Sequence, residues 1–422
     1  MRNNANLPES VDVAVIGGGI IGICTAYALA KAGVSTAVFE KGLLACEQSS
    51  RNWGWVRTLN RDMPEVPVSM RSNEIWDEIQ AQAEVGFRRR GILYLQENAD
   101  DAERHQRWLD QARDHYGFQG RLLGQAETRK RLPPSRRNWT GALYSDLDGV
   151  AEPQLATQGI AGLVRRLGGQ VFERCAVRGI EQSAGRVSAV VTEHGRVRAS
   201  TVVLAGGAWS RLFCGNLGVE FPQLKVRGSV LRTSPVEGGP ESAINGKDFT
   251  CRKRADGGYT VSQFGASMAD ITPDSFRLMG KFFKAWMANN TFVKVRFGKR
   301  FFEELAIPRT FGIEAITPYE RNRVLDPTPS ASGVQQAWSR LVHAFPAFES
   351  ARIAQSWAGY IDATPDAMPV MAQVRSVPGF YLASGFSGHG FGFGPGAGEF
   401  MAGLIQGKPL HGDAHAFRLD RY

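Results

Sequence analysis

Residues 11–40 read VDVAVIGGGIIGICTAYALAKAGVSTAVFE, and the fold follows from them. Val11, Val13, Val15 and Ile16 make a β-branched run short enough for a buried parallel strand, and Gly17, Gly19 and Gly22 follow it at the spacing G-x-G-x-x-G. Gly17 allows a sharp turn out of the strand, Gly19 lets the backbone approach a pyrophosphate with no Cβ between them, and Gly22 lets a helix pack close to the sheet. The start of that helix offers free N–H groups and a favourable dipole to phosphates. Gly33 ends the helix, Ser35 to Phe39 rebuilds a strand, and Glu40 stands at its carboxyl end, about 20 residues beyond the glycines, where a ribose hydroxyl needs an acceptor. Strand, turn, helix, strand and acid together predict a dinucleotide site. The uncharged run Val13–Ala30 approaches the length of a membrane span, but a triple glycine within it and Asp12 ahead of it fit a turn between two elements.

The 422 residues suffice for two domains, and a hydrophobic content of 43% supports ordinary cores. The polar start MRNNANLPES lacks an apolar signal core, so a cytoplasmic protein is expected. Cys24, Cys46, Cys175, Cys214 and Cys251 are scattered with no C-x-x-C pair, which predicts reduced thiols, and the histidines do not cluster, so no metal is expected. The net charge of +9 concentrates in Ser275–Phe302, where Arg277, Lys281, Lys284, Lys294, Arg296, Lys299 and Arg300 alternate with Phe282, Phe283, Trp286, Phe292 and Phe297. The pattern predicts a helix and strand with one solvated face and aromatics in the core; a docking surface for an acidic partner or an anionic membrane is the alternative. No nucleic-acid module accompanies the charge.

Downstream, the run Gln48, Ser49, Ser50, Arg51, Asn52, Trp53, Gly54, Trp55 resembles the S-G-R-N-G-G loop of the flavin-dependent amine and amino-acid oxidoreductase family, which includes D-amino-acid dehydrogenases, glycine and sarcosine oxidases and glutamylputrescine oxidases. It departs from that loop at Ser50 and Trp53, where glycine is common. Val202–Ser210, VVLAGGAWS, resembles the family's second FAD-contacting strand, with small residues at its tip for close cofactor approach. Ala383–Glu399, ASGFSGHGFGFGPGAGE, resembles the sarcosine-oxidase glycine loop, whose following helix, expected at about Pro395–Leu404, aims its N-terminus at the flavin. The resemblance covers nearly the whole chain. It implies an α/β fold with an α+β substrate part, in which a Rossmann-type FAD-binding domain (residues 8–80, 141–225 and 345–422) carries an inserted antiparallel-sheet substrate domain (81–140 and 226–344). Local patterns predict helices over 70–85, 104–116 and 155–167, strands over 91–95 and 171–180, and a hairpin over 251–264 turning at Asp256, Gly257 and Gly258.

The resemblance also implies FAD, held by Gly17, Gly19, Ile20, Gly22, Glu40, Lys41, Gln48, Ser49, Ser50, Arg51, Asn52, Trp53, Gly54, Val177, Ala205, Gly206, Gly388, His389, Gly390, Phe391 and Gly392. The implied reaction oxidises a C–N bond of a small amino acid or N-substituted amine by hydride transfer to flavin N5, giving an imine that water hydrolyses. The cofactor does the hard step, so no obligatory acid or base is named. Ile361 stands where many D-amino-acid-oxidising members carry a carboxylate-binding arginine, Gly392 replaces a lysine that follows G-H-G-F, and no counterpart of the oxygen-reacting lysine occurs around Tyr259–Phe264. The electron acceptor, oxygen or a quinone or partner protein, therefore stays open. No cysteine lies within Ser356–Asp366, so FAD is expected to be noncovalent, with Cys46 the remaining candidate for attachment. Trp55, Arg252, Gln263, Tyr360 and His389 are the candidate substrate-site residues. Arg252 is favoured for a carboxylate because alternation puts it with Arg254 on one hairpin face and its planar fork suits bidentate binding; Arg51 and Arg57 are rivals. A 2-hydroxy-acid oxidoreductase on the same fold and an FAD-binding subunit of a larger dehydrogenase complex are the alternatives.

Overall fold

The computed structural model describes residues 7–263, 267–289 and 293–422; Phe264 and Phe292, named above, lie outside them. β1 (Ser10–Ile16) and β2 (Thr36–Phe39) pair in parallel, Val13 opposite Thr36 and Ile16 opposite Phe39, with α1 (Ile20–Lys31) crossing between them. Parallel strands buried on both faces need no polar alternation, and β2 is buried at every residue. The parallel part of the first sheet runs Gln170–Phe172, β2, β1, Gly195–Leu204, Phe380–Ser384, and Val370–Gln373 closes one edge antiparallel. The strand expected over 171–180 is corrected to two, Gln170–Phe172 and Val177–Ser183, because the chain breaks at Arg174, whose φ of 52° no strand accommodates.

A second, largely antiparallel sheet lies over the carboxyl ends of the first. Its order from Ser267–Asp270 is Leu224–Thr233, Tyr259–Ser262, Thr250–Lys253, Ala243–Asn245, Ile92–Gln96, Gly141–Ser145, Arg121–Gly124, and Ile353–Ala363 also pairs with Leu224–Thr233. Gly141–Ser145 and Ile353–Ala363 thus hydrogen-bond into this sheet, although both fall in stretches grouped above with the cofactor domain. One face packs on the helix Ala331–Ala344 through Leu231, Val261 and Tyr259, whose ring meets Phe348 edge-on at 4.8 Å. The other face looks toward the cofactor loop 48–65. Helices form at Val66–Gln80, Ala99–Tyr116 and Pro153–Arg166, within a few residues of expectation. The C-terminal helix also starts five residues early: it spans Gly390–Gln406 and contains Pro395, the expected start.

Candidate active site

The carboxyl ends of the parallel strands bound a cleft of about 1200 Å³, counting its open mouth. Gly17, Gly19, Ile20, Glu40, Lys41, Gln48, Ser49, Asn52, Val177, Ala205, Gly206, Gly388, Gly390 and Phe391 line it. A Cβ on Gly17, at φ 112°, would meet the Ala205 carbonyl oxygen at 2.4 Å, so the turn is open to glycine alone. At Gly19 the one described atom within 4 Å is Ser49 Oγ at 3.1 Å, which leaves the face of the α1 N-terminus clear for a phosphate. Ser49 Oγ also accepts from the Ile20 N–H at 2.8 Å. Glu40 accepts from the N–H groups of Gly18 and Gly42, both at 2.7 Å, and burial raises its carboxyl above the ordinary range despite these bonds. Lys41 bonds Glu47 at 2.8 Å and lies 4.6 Å from the Trp209 ring centre.

Several residues at this cleft carry no sequence signal. Tyr319 and Phe213 wall one end with Trp209, their rings 6.1 Å apart, and Tyr319 arrives from a segment more than a hundred residues away with no motif around it. Asp362 accepts from the N–H groups of Gly385 and Phe386, and burial raises its carboxyl to about 6. At the other end the N-terminus of Gly390–Gln406 faces the cleft, and its unpaired N–H groups favour a negative charge there.

The remaining expected cofactor residues sit off the wall. Gly22 serves packing alone: its Cβ would meet the Gly17 carbonyl at 2.0 Å. Arg51 donates to the Ala358 carbonyl at 3.0 Å and pairs with Asp326 at 2.9 Å. Ser50 bonds the Glu47 carbonyl, Trp53 and Gly54 pack on the second sheet, and Gly392 lies against the backbone of Trp55 and Val56. His389 turns its ring to Glu65, Nδ1 to Oε2 3.2 Å.

Arg252 requires a correction. It lies on the loop-facing side of the sheet, but its guanidinium is fully engaged: Nη1 and Nη2 bond Glu152 at 2.9 and 3.1 Å, and Nε donates to the Trp53 carbonyl at 2.6 Å. Burial alone would raise Glu152, yet Arg252 and Arg88 bring it down to about 2. No fork remains for a substrate carboxylate. Tyr360 is also corrected: Gly359 and Ile361 face the loop, with Gly359 2.7 Å from Gln48 Oε1 by its Cβ direction, so Tyr360 points to the opposite side, beneath Arg300 at 5.1 Å. Gln263 is half-buried one residue past its strand, and its Oε1 has no partner. Trp55 is buried against Tyr94 at 6.3 Å with its indole N–H unpartnered.

Beside the glycine loop, His389 and Arg57, both named from the sequence, join Arg61 and Glu65, which the sequence did not single out, in one cluster. Arg61 Nη2 donates to the His389 carbonyl at 3.1 Å, its Nη1 is buried without a partner, and that Nη1 stands 3.9 Å from Glu65. Burial lowers Arg61 to about 10, helped by neighbouring Arg57. Burial pushes Glu65 up, but His389 and Arg61 outweigh it and keep the carboxyl below its ordinary range. Asp62, Glu65 and His389 converge closely enough to hold a metal, but Arg61 already supplies the cation. Arg57 sits 5.8 Å from the Tyr94 ring, and among the described residues no carboxylate pairs with it within 4.0 Å. The local signal was the basic pair Arg57 and Arg61 at helical spacing after the cofactor loop.

Comparison with known proteins agrees with this geometry. A family model described as FAD dependent oxidoreductase matches residues 12–404. The chain superposes on L-amino acid deaminase from Proteus myxofaciens, solved in complex with anthranilate, with a TM-score of 0.94 and 32% identity, covering 99% of this chain and 94% of that one. Glycine oxidase of Geobacillus kaustophilus is 26% identical over 97% of each protein. Mouse sarcosine dehydrogenase is 26% identical over 99% of this chain, which spans 42% of that relative's length. The cleft fits FAD in its glycine cradle, in Glu40 on its wall and in its helix N-terminus, and the chain belongs to the FAD-dependent oxidoreductase family.

Proposed function

We propose that the protein oxidises a C–N bond of an amino acid or N-substituted amine, taking its substrate between the second sheet and the flavin end of the cleft. The observation that carries this reading is the pair Arg57 and Arg61, one without a carboxylate partner and one with a buried, unpartnered Nη1, beside the loop whose Gly388 and Gly390 line the cleft. A guanidinium in a water-poor wall is suited to a carboxylate, and Arg57 takes the role that Arg252 cannot. FAD supplies the two-electron acceptor for the hydride. The residues named here bind, orient and exclude water, and the N-terminus of Gly390–Gln406 favours negative charge at its end of the cleft. Anaerobic mixing of purified protein with panels of amines, amino acids and hydroxy acids tests the reading: flavin absorbance falls with amines or amino acids. Bleaching by hydroxy acids alone would select that chemistry instead, and bleaching by none would leave an electron-transfer subunit.

FAD is held noncovalently in this proposal: no cysteine lies within Ser356–Asp366, and burial pushes up the thiol of Cys46, the one cysteine among the residues lining the cleft. Acid precipitation then leaves the yellow colour in the supernatant; colour in the washed pellet refutes it. The protein works in the cytoplasm, where its five free thiols persist, and touches an anionic membrane through 275–302. No described helix is long and apolar enough to cross a bilayer. The membrane contact is favoured by exposure: of fourteen exposed large hydrophobic residues among the described ones, ten lie between Phe276 and Ile316. Oxygen, a quinone or a partner protein then receives the electrons, and following reoxidation with each separately distinguishes them.

A further inference from the structure

The backbone at Trp53 is held firmly in place while its ring stays half-buried. The Arg252 guanidinium bonds its carbonyl, and the next residue, Gly54, is at φ 77° with no space for a Cβ, which would lie 2.5 Å from the Ala151 oxygen and 2.8 Å from Arg252 Cζ. Gly54 is pinned further by its N–H to Asn52 Oδ1 at 2.7 Å and by its carbonyl, which accepts from Ala151 at 2.8 Å. Glu152, behind Arg252, is fixed in turn by Arg88 and by the Ala255 N–H, both at 2.8 Å. A buried ion pair seldom adds stability over a well-packed apolar pair, but it does enforce geometry that no apolar pair can. Here the enforced geometry is the height of one backbone carbonyl. The Trp53 ring is half-buried and meets Trp55 edge-on at 5.3 Å; Asn52 before it lines the cofactor cleft, and Trp55 after it packs on Tyr94 of the second sheet. The ring thus packs among the aromatic residues of the second sheet, one residue along the chain from cleft-lining Asn52.

We propose that Trp53 is the wall that sets which substrate side chains the chamber admits, and that the Arg252–Glu152 pair is the positioning device that fixes it. The proposal rests on the amine- or amino-acid-oxidising reading above. Its test compares kcat/KM for alanine, leucine and phenylalanine in the FAD-loaded protein and three variants. Trp53→Ala shifts the phenylalanine-to-alanine ratio at least tenfold toward the larger substrate. Arg252→Met shifts it the same way by about threefold with FAD content intact, and the double variant goes no further than Trp53→Ala alone. A second readout needs no substrate: the near-ultraviolet circular dichroism of the apoprotein carries a Trp53–Trp55 contribution that Trp53→Ala abolishes and Arg252→Met weakens. Arg252→Lys, which keeps the charge and loses the fork, replaces Arg252→Met if that variant does not fold. A wild-type protein that oxidises the panel while Trp53→Ala leaves the ratio within twofold overturns the wall. An unchanged dichroism in the arginine variant overturns the positioning. A wild type that oxidises none of the panel overturns the substrate reading and the wall with it, while the dichroism still judges the positioning.

Discussion

Asp148 accepts from the N–H groups of Thr58 and Leu59 and from Asn73 Nδ2, yet burial raises its carboxyl to about 6. A carboxyl whose folded pKa lies above its unfolded value of about 3.9 holds more protons folded than unfolded between those values. Its contribution is therefore fully present below about pH 4 and lost as the pH rises through about 6, by about 3 kcal/mol. Asp148→Asn cannot titrate, so its stability should fall less than wild type between pH 4 and 6 in urea unfolding series; parallel curves would show that Asp148 stays ionised. The same scale separates what residue type reveals from what it hides. Glu40 was readable because the strand–helix–strand frame around it leaves one position at the strand's carboxyl end. Arg252 was misread because alternation gives the face of a side chain and says nothing about its partner, and Glu152 lies exactly a hundred positions away in the chain. Arg57 and Arg61 were open to view, but an arginine is recognised as unpaired only once every carboxylate has been placed.

The C-terminal helix shows the same limit for an element. The resemblance to the sarcosine-oxidase glycine loop places this helix at about Pro395–Leu404, and a proline at the first helical position is compatible with that start. Instead the helix runs from Gly390, and the bond that the proline disturbs is repaired from outside. Ser72 Oγ donates to the Gly392 carbonyl at 2.7 Å and accepts from the Gly396 N–H at 3.0 Å, bridging a gap in the ladder, while Trp76 Nε1 donates to the same carbonyl. A partner from another helix, over three hundred residues back, cannot be read from local sequence. The glycines of this helix were legible as a pattern but not in their purpose, which is close packing: against α1 at Gly394 and Gly398, and against the helix Val66–Gln80 at Gly396. A Cβ on Gly398 would meet the Cys24 carbonyl carbon and oxygen at 2.4 Å. Because backbone cannot step aside as a side-chain end can, Gly398→Ala should cost about 3 kcal/mol and tilt the helix whose N-terminus faces the cleft. Urea unfolding measures the first effect and FAD affinity the second; a variant with wild-type stability and affinity would mean the two helices are not in contact.

For the whole molecule, we propose that the division into cofactor (8–80, 141–225, 345–422) and substrate (81–140, 226–344) portions holds with two strands crossing over, Gly141–Ser145 and Ile353–Ala363, which tie the portions together at the cleft. Periodicity reveals a strand but not its sheet, so the crossing was invisible in the sequence. The segment 273–305 was misjudged for a related reason: a helix with aromatics on one stripe presumes something to pack them against, and nothing in the pattern says whether it exists. Among the described residues, Phe283, Trp286, Phe297 and Phe302 do not enter the core, being 52–60% exposed, and Phe282 is half-buried. Seven basic residues against three acidic ones accompany them, and the patch is braced on the strands over the cleft through Lys225–Glu304 at 2.7 Å and Arg300 over Tyr360. Aromatic rings with interspersed lysines match the interface of an anionic bilayer, where each basic residue contributes about 1 kcal/mol near the surface. The protein should therefore co-sediment with vesicles containing phosphatidylglycerol and much less with neutral phosphatidylcholine, and high salt should release it. The double variant Phe283→Ser with Trp286→Ser should bind at least tenfold more weakly, its flavin content unchanged. Equal partitioning of wild type and variant, or indifference to lipid charge, would assign these rings to a contact with another protein surface, because ten clustered apolar side chains exceed what a monomer ordinarily leaves to water.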